Sequence, residues 1–145
     1  MSDELHDQVA GQLRRVRQRY TTGRQNLVSA LFAMGRPVTV TELLDTGAAS
    51  SISSLYRNLG VLEQCGAVRR VSSTDDAARY ELSEELSEHH HHVVCSHCGT
   101  VRDITLPGSI EDVLHQASML AQSAHGFHID SHHLELVGAC GDCAS

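Results

Sequence analysis

Lysine and tryptophan are absent from this chain of 145 residues, proline occurs only twice, and aromatic residues make up 3% of the sequence. No apolar run approaches the length of a membrane span, and the chain does not open with a charged and then apolar secretion signal. With 41% hydrophobic and 20% charged residues, the composition is typical of a soluble globular protein. We therefore expect a cytoplasmic protein of one domain or two small ones, without membrane association.

Because lysine is absent, every permanently basic side chain is an arginine, and the arginines are concentrated in the first half of the chain. Residues 1–72 contain nine arginines and six acidic residues, which gives a net charge of +3. Residues 73–145 contain two arginines and twelve acidic residues, which gives −10. The first half is therefore the better candidate for contact with nucleic-acid phosphates. The alternative is a solvated charged surface without a partner.

Four of the five cysteines form two Cys-x-x-Cys pairs, Cys95 with Cys98 and Cys140 with Cys143, and 41 residues separate the pairs. Two such pairs supply the four thiolates of a closed tetrahedral zinc site, which would join the end of the chain to its middle. The alternatives are a redox-active dithiol, which would place one pair at the start of a helix, and a chance arrangement. Cys65 lies in an apolar helical pattern, which predicts an inert buried thiol.

Periodic apolar residues predict four helices in the first half, at residues 4–20, 21 or 22 to 34, 41–45 and within 48–66. Two strand-like runs, AVRRVSS and AARYELS, follow and are joined by an acidic turn. Helices followed by a small hairpin are typical of a winged helix-turn-helix. The last helix would present polar side chains to DNA phosphates and base edges, namely Ser54, Tyr56, Arg57 and Asn58.

A polar connector, EELSE, separates this half from a second one. The runs HHVVC and TVRDITL predict strands, residues 109–124 predict a helix, and residues 127–140 predict a long alternating strand. We therefore predict an α+β protein with a winged-helix DNA-binding domain at 1–83, a hinge at 84–88 and a metal-binding domain at 89–145.

Four consecutive histidines occupy positions 89–92, with ordinary sequence on both sides, which argues against a purification tag. In a strand, His89 and His91 would face one way, whereas His90 and His92 would face the other. The candidates for further donors to these two pairs are Glu81, Asp103, Glu111, His115, His132 and His133. Such nitrogen and oxygen donors suit Fe(II), Mn(II), Ni(II) or Zn(II). The alternative is a solvated histidine-rich loop.

Four segments together resemble the ferric uptake regulator family of bacterial metal-sensing repressors: RYTTGRQNLVSAL, SSLYRNLGVLEQCGAV, YELSEELSEHHHHVVCSHCG and GFHIDSHHLELVGACGDC. The resemblance covers nearly the whole chain. It implies an N-terminal winged helix that binds a palindromic operator in double-stranded DNA, and a C-terminal α/β dimerisation domain that forms a homodimer. It also implies a structural zinc at the four paired cysteines.

The resemblance further implies roles for single residues. Tyr56 and Arg57 match the family's recognition helix, and Arg24 matches an arginine that approaches DNA near the minor groove. The residues that match a regulatory metal site between the domains are Glu81, His90 and His92, and Asp103 matches an aspartate of the peroxide-sensing branch. The residues that match a second metal site are His89, His91 and His132, with either Glu111 or His115 as the helix ligand.

The chain departs from the family pattern at two places. Some members supply a regulatory-site histidine from the N-terminal domain, where this chain has GRPVTV without a histidine. The zinc-sensing branch often has a cysteine shortly after the YEL segment, where this chain has Ser83. The sequence therefore leaves open which metal is sensed.

These patterns predict a metal-responsive repressor of metal uptake or homeostasis genes. In it, Fe(II) or Zn(II), or alternatively Mn(II) or Ni(II), would fill the site between the domains. The main alternative is a metal buffer or chaperone without specific DNA binding, which would leave the arginine-rich first half unexplained. We do not expect an enzyme, because four paired thiolates leave zinc no open position and no HExxH, GxSxG or phosphate-loop motif occurs.

Overall fold

The computed structural model describes residues 2–145, which form six helices and six strands. The helices are α1 (Ser2–Arg15), α2 (Thr22–Met34), α3 (Val40–Asp45), α4 (Ile52–Gln64), α5 (Gly108–His125) and α6 (Gly141–Ala144). The strands are β1 (Val38–Thr39), β2 (Val68–Val71), β3 (Arg79–Leu82), β4 (His91–Cys95), β5 (Val101–Ile104) and β6 (Glu135–Gly138). Among the described residues, no helix is both long and apolar enough to cross a membrane. The predicted α+β class is confirmed.

The first sheet has the strand order β1-β3-β2, and β3 is antiparallel to both neighbours. This sheet packs with α1 to α4 around one apolar core, in which Val9, Leu13, Leu27, Leu55 and Leu59 are almost completely buried. Helices followed by the β2–β3 hairpin form the winged helix that the sequence predicts. Strand β1 was not predicted, because a pairing of two residues leaves no periodic signal.

Side-chain caps fix where the helices of the winged helix begin. The Thr21 hydroxyl accepts the backbone N–H of Arg24 at the start of α2, and the Ser51 hydroxyl accepts that of Ser54 at the start of α4. Helix α2 ends at Gly35, whose φ of 61° lies in the left-handed region that glycine adopts without a steric penalty. These local signals fix the ends of the helices, while the buried stripe of Leu55, Leu59 and Leu62 determines which face of α4 points away from the core.

The second sheet has the order β5-β4-β6, with β4 antiparallel to β5 and parallel to β6. Its buried apolar cluster contains only Val94 and Val101, packed with Val71 of β2. None of the 18 residues of α5, all of which the structure describes, is buried. The second half of the chain therefore buries little apolar surface by itself.

The turn between β2 and β3 contacts the second sheet. Ser73 donates a hydrogen bond from its hydroxyl to the carbonyl of Gly99 at 2.6 Å, and Thr74 donates one to the carbonyl of Cys95 at 2.6 Å. Gly99 has a φ of 77°, and a Cβ atom there would collide with the Asp75 carboxylate. The tight turn after β4 therefore helps to position the wing of the winged helix.

Two predicted boundaries are wrong. Helix α1 ends at Arg15 and does not reach residue 20, because Arg17 has a φ of 59°, which a right-handed helix does not allow. The strand predicted over 127–140 is restricted to β6, because a strand needs a paired neighbour and the pairing with β4 starts at Glu135, opposite His92. The short helix α6 was also not predicted.

Candidate functional site

Three groups of side chains that could hold a metal ion lie on or beside the second sheet, and in each group the four donor atoms are within 4.8 Å of one another. The thiolate cluster contains Cys95, Cys98, Cys140 and Cys143. The Glu81 cluster contains Glu81, His90, His92 and Asp103. The Glu111 cluster contains His89, His91, Glu111 and His132. The four consecutive histidines are thus divided between two clusters, because side chains alternate along an extended chain.

The thiolate cluster forms because β4 and β6 run parallel and end side by side. Cys95 is the last residue of β4, opposite Gly138 at the end of β6, and the turn after β4 carries Cys98. The chain continues from β6 through Cys140 into α6, which carries Cys143. The sulfur atoms of Cys98 and Cys140 are 3.9 Å apart. This distance is close to the spacing of about 3.8 Å between two sulfur ligands of a tetrahedral zinc with Zn–S bonds of about 2.3 Å. The donor set and its spacing fit zinc.

Backbone N–H groups point at the sulfur of Cys95. It accepts hydrogen bonds from Cys98, Cys140 and His97 at 3.5, 3.3 and 3.4 Å, and these bonds lower the pKa of Cys95 to about 5. The hydrogen bond with Cys140, together with burial, raises the pKa of Cys143 to about 12. The hydrogen bonds therefore favour the thiolate form of Cys95, and a cation held by the four sulfurs would favour the same form of Cys143.

The Glu81 cluster joins the two sheets. Glu81 lies on β3 of the first sheet, whereas His92 and Asp103 are paired on β4 and β5, and His90 precedes β4. His92 Nε2 lies 3.0 Å from Glu81 Oε1, His90 Nε2 lies 3.2 Å from Glu81 Oε2, and both imidazoles lie 3.6 Å from Asp103. His90 Nδ1 donates to the Glu88 carbonyl at 2.8 Å, which directs Nε2 towards the carboxylates. Two nitrogen and two oxygen donors thus meet between the sheets.

Burial and neighbouring charges control protonation in the Glu81 cluster. Glu81 is 4% exposed, and His90 and His92 are each 8% exposed. Burial opposes ionisation of Glu81, but the hydrogen bond with His92 and the charge of Arg69 hold its pKa below the ordinary value. Burial and the charge of Glu81 raise the pKa of Asp103. A divalent cation would favour the ionised form of both carboxylates at once.

A cavity of about 610 Å³ opens beside the Glu81 cluster, between the first two helices and the connector. Its lining includes Glu81, His90 and Asp103 together with the acidic side chains of Glu4 and Glu85. An acidic lining attracts cations. The cavity therefore brings solvent close to the cluster on a side that is rich in carboxylates.

In the Glu111 cluster one carboxylate from the first turn of α5 contacts three imidazoles. Glu111 lies 2.7 Å from His91 Nε2, 3.1 Å from His132 Nε2 and 3.4 Å from His89 Nε2. His115 was an alternative helix ligand in the sequence analysis. It lies one turn further along α5, is exposed, and is outside all three clusters found among the described residues. The helix residue that faces the histidines is therefore Glu111, and the expectation for His115 is corrected.

The polar face of α4 is directed away from the core, as its capping and apolar stripe require. Tyr56 is 53% exposed and Arg57 is also exposed. Ser54 and Asn58, which were expected on the same face, are only half-buried. The part of this surface most accessible to DNA is therefore the pair Tyr56 and Arg57.

Arg24 is buried, contrary to the expectation of a side chain directed at DNA. Its guanidinium donates to the Asn58 side chain at 3.2 Å, to the Gln18 side chain at 3.3 Å and to the carbonyl of Arg19 at 2.6 Å. All of these partners belong to the same half of the chain. In this structure Arg24 therefore holds α2 against α4 and does not project into solvent.

The sequence analysis missed Arg69 as part of the Glu81 cluster. In the β2–β3 hairpin Arg69 is directly opposite Glu81, and its Nη2 lies 2.6 Å from Glu81 Oε1. The signal was present in the runs VRRV and RYEL, since an antiparallel hairpin places one of the two arginines opposite the glutamate. Only the register of the hairpin tells which one.

Comparison with known proteins supplies an independent line of evidence. The sequence profile of the Ferric uptake regulator family matches residues 16–137. The Peroxide-responsive repressor PerR of Staphylococcus saprophyticus is 28% identical over 144 residues, which cover 97% of this chain and 91% of that protein.

Solved structures share the fold. The ferric uptake regulator Fur of Helicobacter pylori, described as having three functional metal binding sites, superposes with a TM-score of 0.79 at 22% identity. That superposition covers 100% of this chain and 95% of the other. A zinc uptake regulator complexed with zinc and DNA superposes with a TM-score of 0.58 at 22% identity, and covers 99% of this chain and 95% of its own. At these identities the likeness establishes the architecture.

The thiolate cluster predicts one tightly held zinc per chain. We expect Cys98→Ser to reduce the zinc that survives dialysis from about one equivalent to nearly none, because three ligands no longer close the tetrahedron. The midpoint of thermal unfolding should fall by roughly 10 °C or more, since bound metal contributes directly to folding free energy. Metal analysis by mass spectrometry and circular dichroism measure the two effects. Cys65→Ser is the matched control and should keep its zinc; retention of zinc by Cys98→Ser would contradict the assignment.

Proposed function

The chain belongs to the ferric uptake regulator family, and we propose that it is a metal-responsive repressor of transcription that binds operator DNA. In this proposal residues 1–83 bind DNA, residues 84–88 form the hinge, and residues 89–145 bind metal and form the dimer. Members of the family are transcriptional regulators. The names of one relative, a peroxide-responsive repressor, and of one structural neighbour, a zinc uptake regulator complexed with zinc and DNA, support the same kind of function here.

The observation that carries the proposal is that the donors of the Glu81 cluster come from both sheets. An ion held by Glu81 on β3 and by His90 and His92 at β4 would reduce motion about the connector between them. A ligand shifts a conformational equilibrium only through its different affinities for the two states. The ion would therefore favour the arrangement in which these donors meet, and DNA affinity would depend on metal through that arrangement.

Zinc in the thiolate cluster would have a structural role. Four sulfur ligands leave no open coordination position for a substrate. The ion would join the ends of β4 and β6, and the turn after β4 also accepts the hydroxyl hydrogen bonds of Ser73 and Thr74. This zinc would therefore support both the second sheet and the position of the wing.

The sensed ion should be Fe(II) or Zn(II), with Mn(II) or Ni(II) as alternatives. Two imidazoles and two carboxylates suit all four ions, because no thiolate is present to favour a soft metal. The Glu111 cluster offers three imidazoles and one carboxylate. We propose that it holds a second exchangeable ion, which would fix the start of α5 to the second sheet.

The DNA-binding surface would be the exposed face of α4. Tyr56 and Arg57 are the accessible side chains for base edges and phosphates. Arg24 would contribute indirectly by fixing α4 through Asn58. Because the phosphate contacts would come from arginines, binding should weaken steeply as the salt concentration rises.

A homodimer explains the apolar side chains that remain exposed in the second half of the chain. The strand β6 lies at an edge of its sheet, and Leu136 and Val137 on it are 48% and 59% exposed. On α5, Val113 and Leu120 are 58% and 68% exposed. Edge strands and apolar faces of this kind are usually covered in the native assembly. We propose that a second copy of the chain covers them.

Metal-dependent DNA binding tests the proposal directly. Fe(II) or Zn(II) should increase the DNA affinity of the parent. In the double variant Glu81→Ala/His90→Ala this metal-induced increase should be at least tenfold smaller, because two of the four donors are gone. Fluorescence anisotropy measures this on a duplex selected by the metal-loaded parent from a random pool. His115→Ala, which removes a histidine outside the clusters, is the control. An unchanged metal response in the double variant would exclude this cluster as the switch. A parent that binds metal but no duplex would instead be a metal buffer.

The proposed dimer can be tested by introducing charge at the exposed apolar face. Leu120→Asp/Val137→Asp should shift the protein from dimer to monomer at micromolar concentration, because burying two unpaired carboxylates is costly. Sedimentation velocity measures the shift. The control is Ile52→Asp, a residue of α4 that is 51% exposed, and this variant should remain dimeric. A dimer that survives the double substitution would place the interface elsewhere.

A further inference from the structure

The pairing of strands β2 and β3 places Arg69 next to the Glu81 cluster. Arg69 is opposite Glu81 in the register of β2 and β3, and its Nε and Nη2 lie 2.7 and 2.6 Å from Glu81 Oε1. The Glu81 side chain is only 5% exposed, whereas that of Arg69 is 25% exposed. The guanidinium thus covers a buried carboxylate oxygen from the solvent side.

The same guanidinium also contacts an imidazole of the cluster. His90 Nδ1 donates its proton to the Glu88 carbonyl, so that in the neutral ring Nε2 carries the lone pair. Arg69 Nη2 lies 3.5 Å from this Nε2, which itself lies 3.2 Å from Glu81 Oε2. Arg69 therefore lies against two of the four side chains that an ion would need, the Glu81 carboxylate and the His90 imidazole.

We propose that Arg69 is a built-in cation that competes with the sensed ion for Glu81 and His90, and that it sets the metal concentration at which the protein responds. This inference rests on the proposed regulatory role of the Glu81 cluster. It adds a residue that lowers the affinity of that cluster for metal.

The charges of the cluster indicate that Arg69 and a divalent ion compete for Glu81 and do not bind it together. Glu81 and Asp103 can supply two negative charges, which one divalent ion neutralises. A guanidinium that stayed against Glu81 would leave a positive charge next to that ion in a largely buried site, where charges of equal sign repel strongly. We therefore expect metal binding to move Arg69 away from Glu81.

An alternative partner for Arg69 is already within reach. Its Nη1 lies 3.6 Å from Glu84 Oε1, and Glu84 belongs to the connector between the two halves of the chain. When an ion binds Glu81, the guanidinium of Arg69 can remain paired with the Glu84 carboxylate. The exchange would strengthen a contact between the wing strand β2 and the connector at the moment when metal binds.

The neighbouring arginine provides a matched control. Arg70 is next to Arg69 on β2, but it points to the other face of the sheet, where it lies over the ring of Tyr80 and 3.7 Å from Glu63. Its side chain is 58% exposed. Removing the charge of Arg70 therefore changes the net charge equally without touching the Glu81 cluster.

The test is Co(II) affinity in the zinc-loaded full chain, measured by visible absorption against a competing chelator. All proteins carry His132→Ala, which weakens the Glu111 cluster. We expect Arg69→Gln to bind Co(II) roughly ten- to hundredfold more tightly than its parent, as expected from losing a charged hydrogen bond that the ion must break. Arg70→Gln should stay within about threefold of the parent. An affinity of Arg69→Gln that is unchanged or weaker would overturn the proposal.

Two further variants cover the case in which Arg69→Gln does not fold and the case in which Co(II) binds at another site. Arg69→Lys preserves the charge but offers one donor group in place of a planar fork, so its Co(II) affinity should lie between those of the parent and Arg69→Gln. This variant answers the question if Arg69→Gln does not fold. Glu81→Ala should lose the Co(II) site. If it does not, the proposed regulatory cluster itself is wrong, and this failure is distinct from a failure of the Arg69 proposal.

Discussion

Among the residues that the structure describes, the contact between the Glu81 carboxylate and the imidazoles of His90 and His92 is the one place where a single ion would bind donors from both sheets. Glu81 is almost completely buried and comes from the hairpin of the winged helix, whereas the imidazoles come from the start of β4. An ion there would act on the relation between the two halves of the chain and not on either half alone. The guanidinium of Arg69 lies on the same carboxylate, which makes occupancy of the cluster a competition between an internal and an external cation.

The second half of the chain has only a small apolar core, and we propose that bound ions and a partner stabilise it. Its buried apolar cluster contains Val94 and Val101, with Val71 contributed by β2, and α5 has no buried side chain. So small a core is not expected to offset the entropy of ordering the 57 residues from 89 to 145. Zinc in the thiolate cluster and a second copy of the chain would supply the missing stability. In this proposal metal binding and assembly belong to the same half, while the winged helix has a larger apolar core within one chain.

The grouping of the metal ligands was predictable because it follows from local rules. A Cys-x-x-Cys turn brings two sulfurs together, and alternation along a strand separates His89 from His90 without knowledge of the fold. The features that could not be predicted from the sequence depend on how the elements pair and pack. The choice of Arg69 as the partner of Glu81 requires the pairing of the hairpin, and the burial of Arg24 requires the packing of two helices. The short length of β6 likewise depends on where its neighbour begins.

Anomalous diffraction at the cobalt absorption edge, from crystals of the zinc-loaded protein with Co(II) added, would test the central claim most directly. The account predicts a cobalt peak within about 2.0–2.3 Å of Glu81, His90 and His92, with the guanidinium of Arg69 no longer bonded to Glu81. A cobalt peak confined to the Glu111 cluster, with Arg69 still against Glu81, would contradict it.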